Sequence, residues 1–189
     1  MIAVCDMGPL HYLVLIGCDH ILPRIFDRII TARVVIEKEM SDPRTPEPVR
    51  RWAANPPQWL EILQPKQVED IPSLGKEGVR GDGDRAIISL ALEERADALV
   101  MDDLKARRES KKRGIEPLWM LEVLDEAAER GLIDDLGEKL EQLEHRTLFY
   151  VGEKARAVIE DMKLRDLQRK QTRAQDRKKQ RGQEQNPAP

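Results

Sequence analysis

Five acidic residues stand where chemistry would need them. Asp6 closes the apolar run Met1-Ile2-Ala3-Val4-Cys5, and the pair Asp102-Asp103 closes a second run, Ala98-Leu99-Val100-Met101. Asp84 lies just inside a turn carrying Gly81 and Gly83, where an acid suits the positive end of a helix dipole. Glu39 precedes Met40 at the end of an apolar stripe. Two strands that end in aspartate can lie side by side in a parallel sheet, and the ligand crevice of an open α/β sheet lies outside the carboxyl ends of its strands. Carboxylates sharing one crevice repel unless protons or a cation neutralise them. Hard oxygen ligands of this kind suit Mg²⁺ or Mn²⁺. Taken singly, each aspartate is better explained as a strand end or a helix cap, and the glutamate as solvated surface. Their order along the chain is what carries information.

The elements that would position these acids follow from apolar periodicity. Pro9 to Ile16 reads as a short helix closed by Gly17, and a second short helix surrounds Pro23. Arg28-Ile29-Ile30 is a brief strand. Thr31 then caps a helix bearing Val34, Val35, Ile36 and Met40, with Glu37 and Glu39 on different sides of it. The stretch 42–57 is irregular, with a turn of helix near Val49 to Ala54, and Leu60 to Leu63 is a strand. Ile71 to Gly83 reads as a loop, in which Gly75-Lys76 lacks the spacing of a phosphate-binding loop. Ala86, Ile87, Leu90 and Ala91 give the Asp84 helix one apolar face. A basic helix, Lys105 to Arg113, follows the acidic pair and stops at Gly114. Ile115 to Leu118 is a last strand, broken by Pro117. Helices follow over Trp119–Arg130, Asp135–Glu144 and from near Gly152, the last with the stripe Ala155, Val158, Ile159 and Met162. Strands alternating with helices argue for an α/β fold around a parallel sheet.

A chain of 189 residues fits one domain plus a tail. No apolar run is long enough to span a bilayer and no leader precedes the first strand, so a cytoplasmic protein without membrane contact is expected. Cys5 and Cys18 are expected as free thiols, and the three histidines show no zinc-ligand spacing. Charge is unevenly spread. Lys163 to Pro189 carries nine Lys and Arg against three acids, a net +6, whereas the preceding residues carry 23 basic and 32 acidic, a net −9. An acidic body with a basic tail points to a polyanion partner or a solvated arm. The tail is expected as a fraying charged helix with a disordered end.

The order Asp6, Glu39, Asp84, Asp102-Asp103 resembles that of the PIN-domain nucleases. The first acid of that family ends the first strand, here VCDMGPL; a Glu follows in a stretch like IEKEM. An acid then opens an Ala- and Ile-rich helix, here GDGDRAIISLALE, and a strand ends in the last acid, here ALVMDD. The segments DDLKARRESKKRGI and Arg130 to Ile133 (RGLI) are similar to those of the toxin-like prokaryotic, VapC-like branch. The resemblance covers residues 1–162 and leaves 163–189 as the tail. Met7 stands where many relatives have Ser or Thr, and Pro117-Leu118-Trp119 replaces a small hydroxyl-bearing turn.

What the resemblance implies is a PIN-like three-layer α/β sandwich, its central mainly parallel sheet flanked by helices. It further implies a divalent-metal-dependent endoribonuclease, the toxin of a toxin–antitoxin pair. Asp6, Glu39, Asp84 and Asp102 would hold Mg²⁺ or Mn²⁺, with Asp103 as the substitute for Asp102. Lys105, Arg107 and Arg108 would meet RNA phosphates or form a solvated helix face. A homodimer and an antitoxin partner are likewise implied. The rival expectation is a catalytically weak or inactive PIN-like module that binds RNA or protein. Haloacid-dehalogenase-like phosphatases are disfavoured because Gly8 stands where their second Asp belongs. Response-regulator receivers are disfavoured because the acidic pair comes late.

Overall fold

The structure, a computed structural model, describes residues 1–74 and 81–184, with side chains as far as 175. Gly75-Lys76 and the Gln-, Asn- and Pro-rich end lie outside the described residues. The chain forms two compact units, Met1–Ala127 and Ala128–Pro189.

In the first unit, strand β1 (Ile2–Cys5) leads to helix α1 (Met7–Leu15), a 3₁₀ turn (Asp19–Ile21) and helix α2 (Leu22–Ile25). Strand β2 (Arg28–Ala32) leads to a π-helix (Val35–Met40), helix α3 (Glu47–Ala54) and strand β3 (Leu60–Leu63). A 3₁₀ turn (Pro72–Leu74) and helix α4 (Asp82–Glu93) precede strand β4 (Ala98–Val100), helix α5 (Leu104–Lys112) and strand β5 (Pro117–Leu118). Helix α6 (Met120–Glu129) follows. All strand pairs are parallel, in the order β3-β2-β1-β4-β5. The three inner strands are the most apolar: Ala3, Val4, Ile30, Leu99 and Val100 are fully buried. Such runs without alternation are the mark of strands covered on both faces.

The direction of chain travel explains the covering. From β1 to β3 the strands are added on one side, and from β4 to β5 on the other. Right-handed crossovers then place the β1–β3 connections on one face and the later helices on the opposite one. Accordingly α1, the π-helix and α3 pack together, while α4 packs on β1 and β2 and meets α5. The result is a three-layer sandwich around a parallel sheet, as the resemblance implies. Where the chain reverses its direction of addition, β1 and β4 lie side by side. That is the topological switch point at which crevices open in such sheets.

Two local departures from the sequence reading have physical reasons. Thr31 does not cap a helix. It lies in β2, fully buried, and its hydroxyl donates to the Cys5 carbonyl at 2.8 Å, tying the end of β2 to the end of β1. Pro117 does not break the last strand. Strand β5 lies at the sheet edge, where a missing N–H costs no ladder bond.

The second unit contains helices α7 (Leu136–Arg146) and α8 (Glu153–Glu184), packed on each other. Leu136, Leu140 and Leu143 of α7 and Ile159 and Met162 of α8 are buried. Helix α8 does not stop where its apolar stripe ends. Polar contacts take over: Lys163 pairs with Glu144 at 2.7 Å, and Lys170 bridges Asp135 and Asp166. Asp166, itself buried, accepts the Gly137 N–H at 3.1 Å. Position 162 therefore falls inside a continuous helix. Among the described residues no helix is long and apolar enough to cross a membrane.

Candidate active site

Asp6 follows β1 directly. Its backbone N–H continues the ladder onto the Val100 carbonyl at 3.0 Å, which fixes it beside the end of β4. The side chain is 8 % exposed and takes no part in capping α1. Burial pushes its carboxyl well above the usual carboxylate range. Asp84 adds to this, the Met7 N–H opposes it, and Glu39 and Asp102 push in the same direction as Asp84.

Glu39 is carried by the π-helix, a form that is rare outside functional segments. The turn is held by its own polar residues: the Ser41 hydroxyl donates to the Ile36 carbonyl at 2.7 Å, and the Thr45 hydroxyl to the Glu39 carbonyl at 2.9 Å. The Glu39 carboxylate lies directly over Gly83. A Cβ on Gly83 would stand 2.3 Å from Oε1 and 2.9 Å from both Cδ and Oε2. Only glycine leaves room for it. Burial, then Asp84, then Asp82 raise the Glu39 carboxyl to about 7.

Asp84 is in the first turn of α4. That helix starts from Gly81 in the left-handed region (φ +83°), where a side chain would also strike the Leu74 carbonyl oxygen at 2.2 Å. Burial and then Asp103 lift the Asp84 carboxyl to about 6, against the pull of neighbouring Arg85.

The two members of the acidic pair differ sharply. Asp102 accepts the Met120 N–H at 3.0 Å through Oδ1, while its Oδ2 is sealed from solvent without any hydrogen-bond partner. Burial lifts its carboxyl to about 6, with the Met120 N–H and Arg107 opposing and Glu122 assisting. Asp103 is exposed and caps α5, accepting the N–H groups of Lys105 and Ala106 at 2.8 and 2.9 Å.

The basic residues of α5 also divide. Lys105 and Arg108 are exposed, and neither side chain has a partner among the described residues. Arg107 turns inward. Its guanidinium lies 5.0 Å from the Trp119 ring centre, 3.4 Å from the Pro117 carbonyl and 3.8 Å from Glu122.

Asp6, Glu39, Asp84 and Asp102 thus come from four separate elements into one electrostatic neighbourhood. The carboxyl of each is pushed upward. No three Asp, Glu, His or Cys side chains among those residues converge as a ready metal cage. The donor set nonetheless fits a hard divalent cation: oxygen only, mutually repelling, and with one buried carboxylate oxygen unused. Three contributors were not singled out from the sequence as site-builders: Gly83, Thr45 and the inward face of Arg107. Only Gly83 carried a signal, as the second glycine of GDGD just ahead of the helix acid.

Comparison with curated proteins finds no match. A family model described as a PIN domain matches residues 2–163, most of the chain, and the parallel sheet with acids at its switch point agrees with it. The chain belongs to the PIN-domain family, a nuclease fold.

Proposed function

We propose that this chain is a Mg²⁺- or Mn²⁺-dependent endoribonuclease, the toxin of a toxin–antitoxin pair, acting in the cytoplasm. The observation that carries the reading is the set of four carboxyls raised together at the end of β1 and β4. A capping or ion-paired acid gains from its charge, whereas these four are held against burial and the repulsion of neighbouring carboxylates. Perturbation of this kind marks functional sites. Asp6, Glu39, Asp84 and Asp102 would hold the ion. Asp103 is the weaker candidate because its carboxylate is already engaged at the start of α5. The bound ion would supply Lewis-acid polarisation of the phosphate and activation of water. The chain's own part is to hold the acids in place through Thr45, Gly83 and the Met120 N–H, and to receive flanking phosphates on Lys105 and Arg108. The family resemblance supports a homodimer and an antitoxin whose segment covers the acids.

One observation favours the rival reading, a weak or inactive PIN-like module that binds RNA or protein: the carboxylates do not converge as a ready metal cage. Calorimetric titration of Mn²⁺ and Mg²⁺ into wild type and an Asp6→Asn/Asp84→Asn variant separates the two, with RNA cleavage followed in parallel. Metal binding and cutting that are both lost in the variant support the nuclease. Equal metal binding by both proteins would sink the four-acid site, and binding without cutting would favour the rival.

A further inference from the structure

The acids use one side of the π-helix and of the first turn of α4. Along the same two elements lies a pocket of about 250 Å³. Lys38 lines it one residue before Glu39, and Asp82 lines it one residue before Gly83. It opens beyond the ends of β2 and β3, marked by Ala32 and Gln64, on the carboxyl edge of the sheet where ligands bind in open α/β folds.

Two ion pairs, Arg33 with Glu37 and Arg85 with Asp82, form part of the lining, and the rest is of two kinds. Pro65 and Ala86 are buried and apolar, and Val68 extends the apolar wall while remaining 50 % exposed, a large side chain that the fold leaves uncovered. Lys38 and Gln64 are exposed, and among the described residues neither side chain has a partner. An apolar wall beside one primary amide and one ammonium, with both carboxylates of the lining already paired to arginines, matches an unpaired nucleotide. The base face lies on apolar side chains, the amide offers both a donor and an acceptor to the base edge, and the ammonium meets a phosphate.

We propose that this pocket receives the base of the nucleotide next to the scissile phosphate, so that Gln64 and Val68 set a base preference in single-stranded RNA. The inference rests on the nuclease reading, because adjacency to the acids is what places the scissile phosphate. It also implies a substrate whose base is unstacked, as in a loop or a single strand.

The test is fluorescence anisotropy with metal chelated, using short labelled oligoribonucleotides of each base and an otherwise identical strand with one abasic position. Wild type, Gln64→Ala and Val68→Ser are compared, with Mn²⁺ titration and RNA cleavage measured on the same preparations. Wild type is expected to bind at least one base about five- to ten-fold more tightly than the abasic strand. Both variants should lose that difference while binding the abasic strand as wild type does. Equal binding of abasic and base-bearing strands, no binding of any strand, or a preference untouched by both substitutions would overturn the proposal. Base preference without cleavage leaves the pocket standing and removes the nuclease. Metal binding and cleavage without base preference does the reverse.

Discussion

Gly83→Ala isolates the geometry of the candidate site from the stability of the fold. Gly83 is the second residue of α4, and replacing a helical glycine by alanine ordinarily stabilises by up to about 1 kcal/mol, less in the first turn. The new methyl would stand 2.3 Å from Glu39 Oε1, where ordinary contact begins near 3.4 Å. Glu39 must therefore withdraw by about 1 Å. It is the end of a long, half-buried side chain and is already repelled by Asp84, so the retreat costs the fold little. Thermal stability should change by no more than about 1 kcal/mol in either direction.

Metal binding should behave differently. Ligand distances are specified to within about 0.2 Å, so a 1 Å retreat removes Glu39 as a direct ligand. Calorimetric Mn²⁺ affinity should fall about ten-fold or more, with RNA cleavage falling alongside. Glu39→Gln should produce a similar loss, and adding Gly83→Ala to it should change little further, since both act through one carboxylate. Unchanged Mn²⁺ affinity in Gly83→Ala, with the clash relieved by movement of Glu39, would refute a ligand role for this residue. Additive losses in the double variant would show that Gly83 acts by some other route.

Asp103→Ala should cost about 1 kcal/mol through loss of a helix cap, read by denaturant titration, and leave Mn²⁺ affinity unchanged, whereas Asp102→Asn should abolish it. With metal absent, stability should fall as pH rises. Glu39 at about 7 and Asp84 and Asp102 at about 6 keep protons in the folded state that the unfolded chain releases near 4. The cost of ionising these buried carboxyls is thus absent below about pH 4 and grows as pH rises through 6 and 7, and melting at pH 5 and pH 8 with and without Mn²⁺ checks the sign. Lys105→Ala/Arg108→Ala should lower the slope of log affinity against log salt for single-stranded RNA by about 1.4. Arg107→Ala should leave that slope unchanged and instead lower the melting temperature, because its guanidinium is committed to Trp119 and Pro117.

The sheet was legible because its strands are short apolar runs bounded by turns, and all five candidates formed in their expected places within a residue or two. Asp6 and Asp102 were legible for the same reason: each ends such a run. Glu39 was separable from Glu37, because helical spacing puts the two on different sides and Glu39 adjoins the buried Met40. That the segment winds as a π-helix was not legible, since its apolar residues fit an ordinary helix equally well. Gly83 read as a turn residue, since sequence reports that glycine is permissive but not that a carboxylate lies over its Cα. Arg107 looked like one more cation in LKARRESKKR, and its inward turn depends on the end of β5, which is distant in sequence. Helix α8 outran its apolar stripe because ion pairs to α7, not periodic burial, carry it onward.

The acids whose titration is displaced fall into two groups by what their neighbours do to them. Asp42, Glu61, Glu93, Glu109 and Asp135 each face an arginine, a lysine or backbone N–H groups, and each is held below its ordinary range. These acids stabilise the fold as anions. Asp6, Glu39, Asp84 and Asp102 are pushed the other way, by burial first and by neighbouring carboxylates after that. Asp103, one residue away from Asp102, spends its carboxylate on two N–H groups at the start of α5 instead. The first group needs nothing more than the chain to account for it. The second costs the folded state free energy at neutral pH, and a divalent cation converts that cost into binding. This is why metal should raise the stability of wild type most where the carboxyls are fully ionised, above pH 7, and why Asp84→Asn should both stabilise the metal-free protein and remove the gain on adding Mn²⁺.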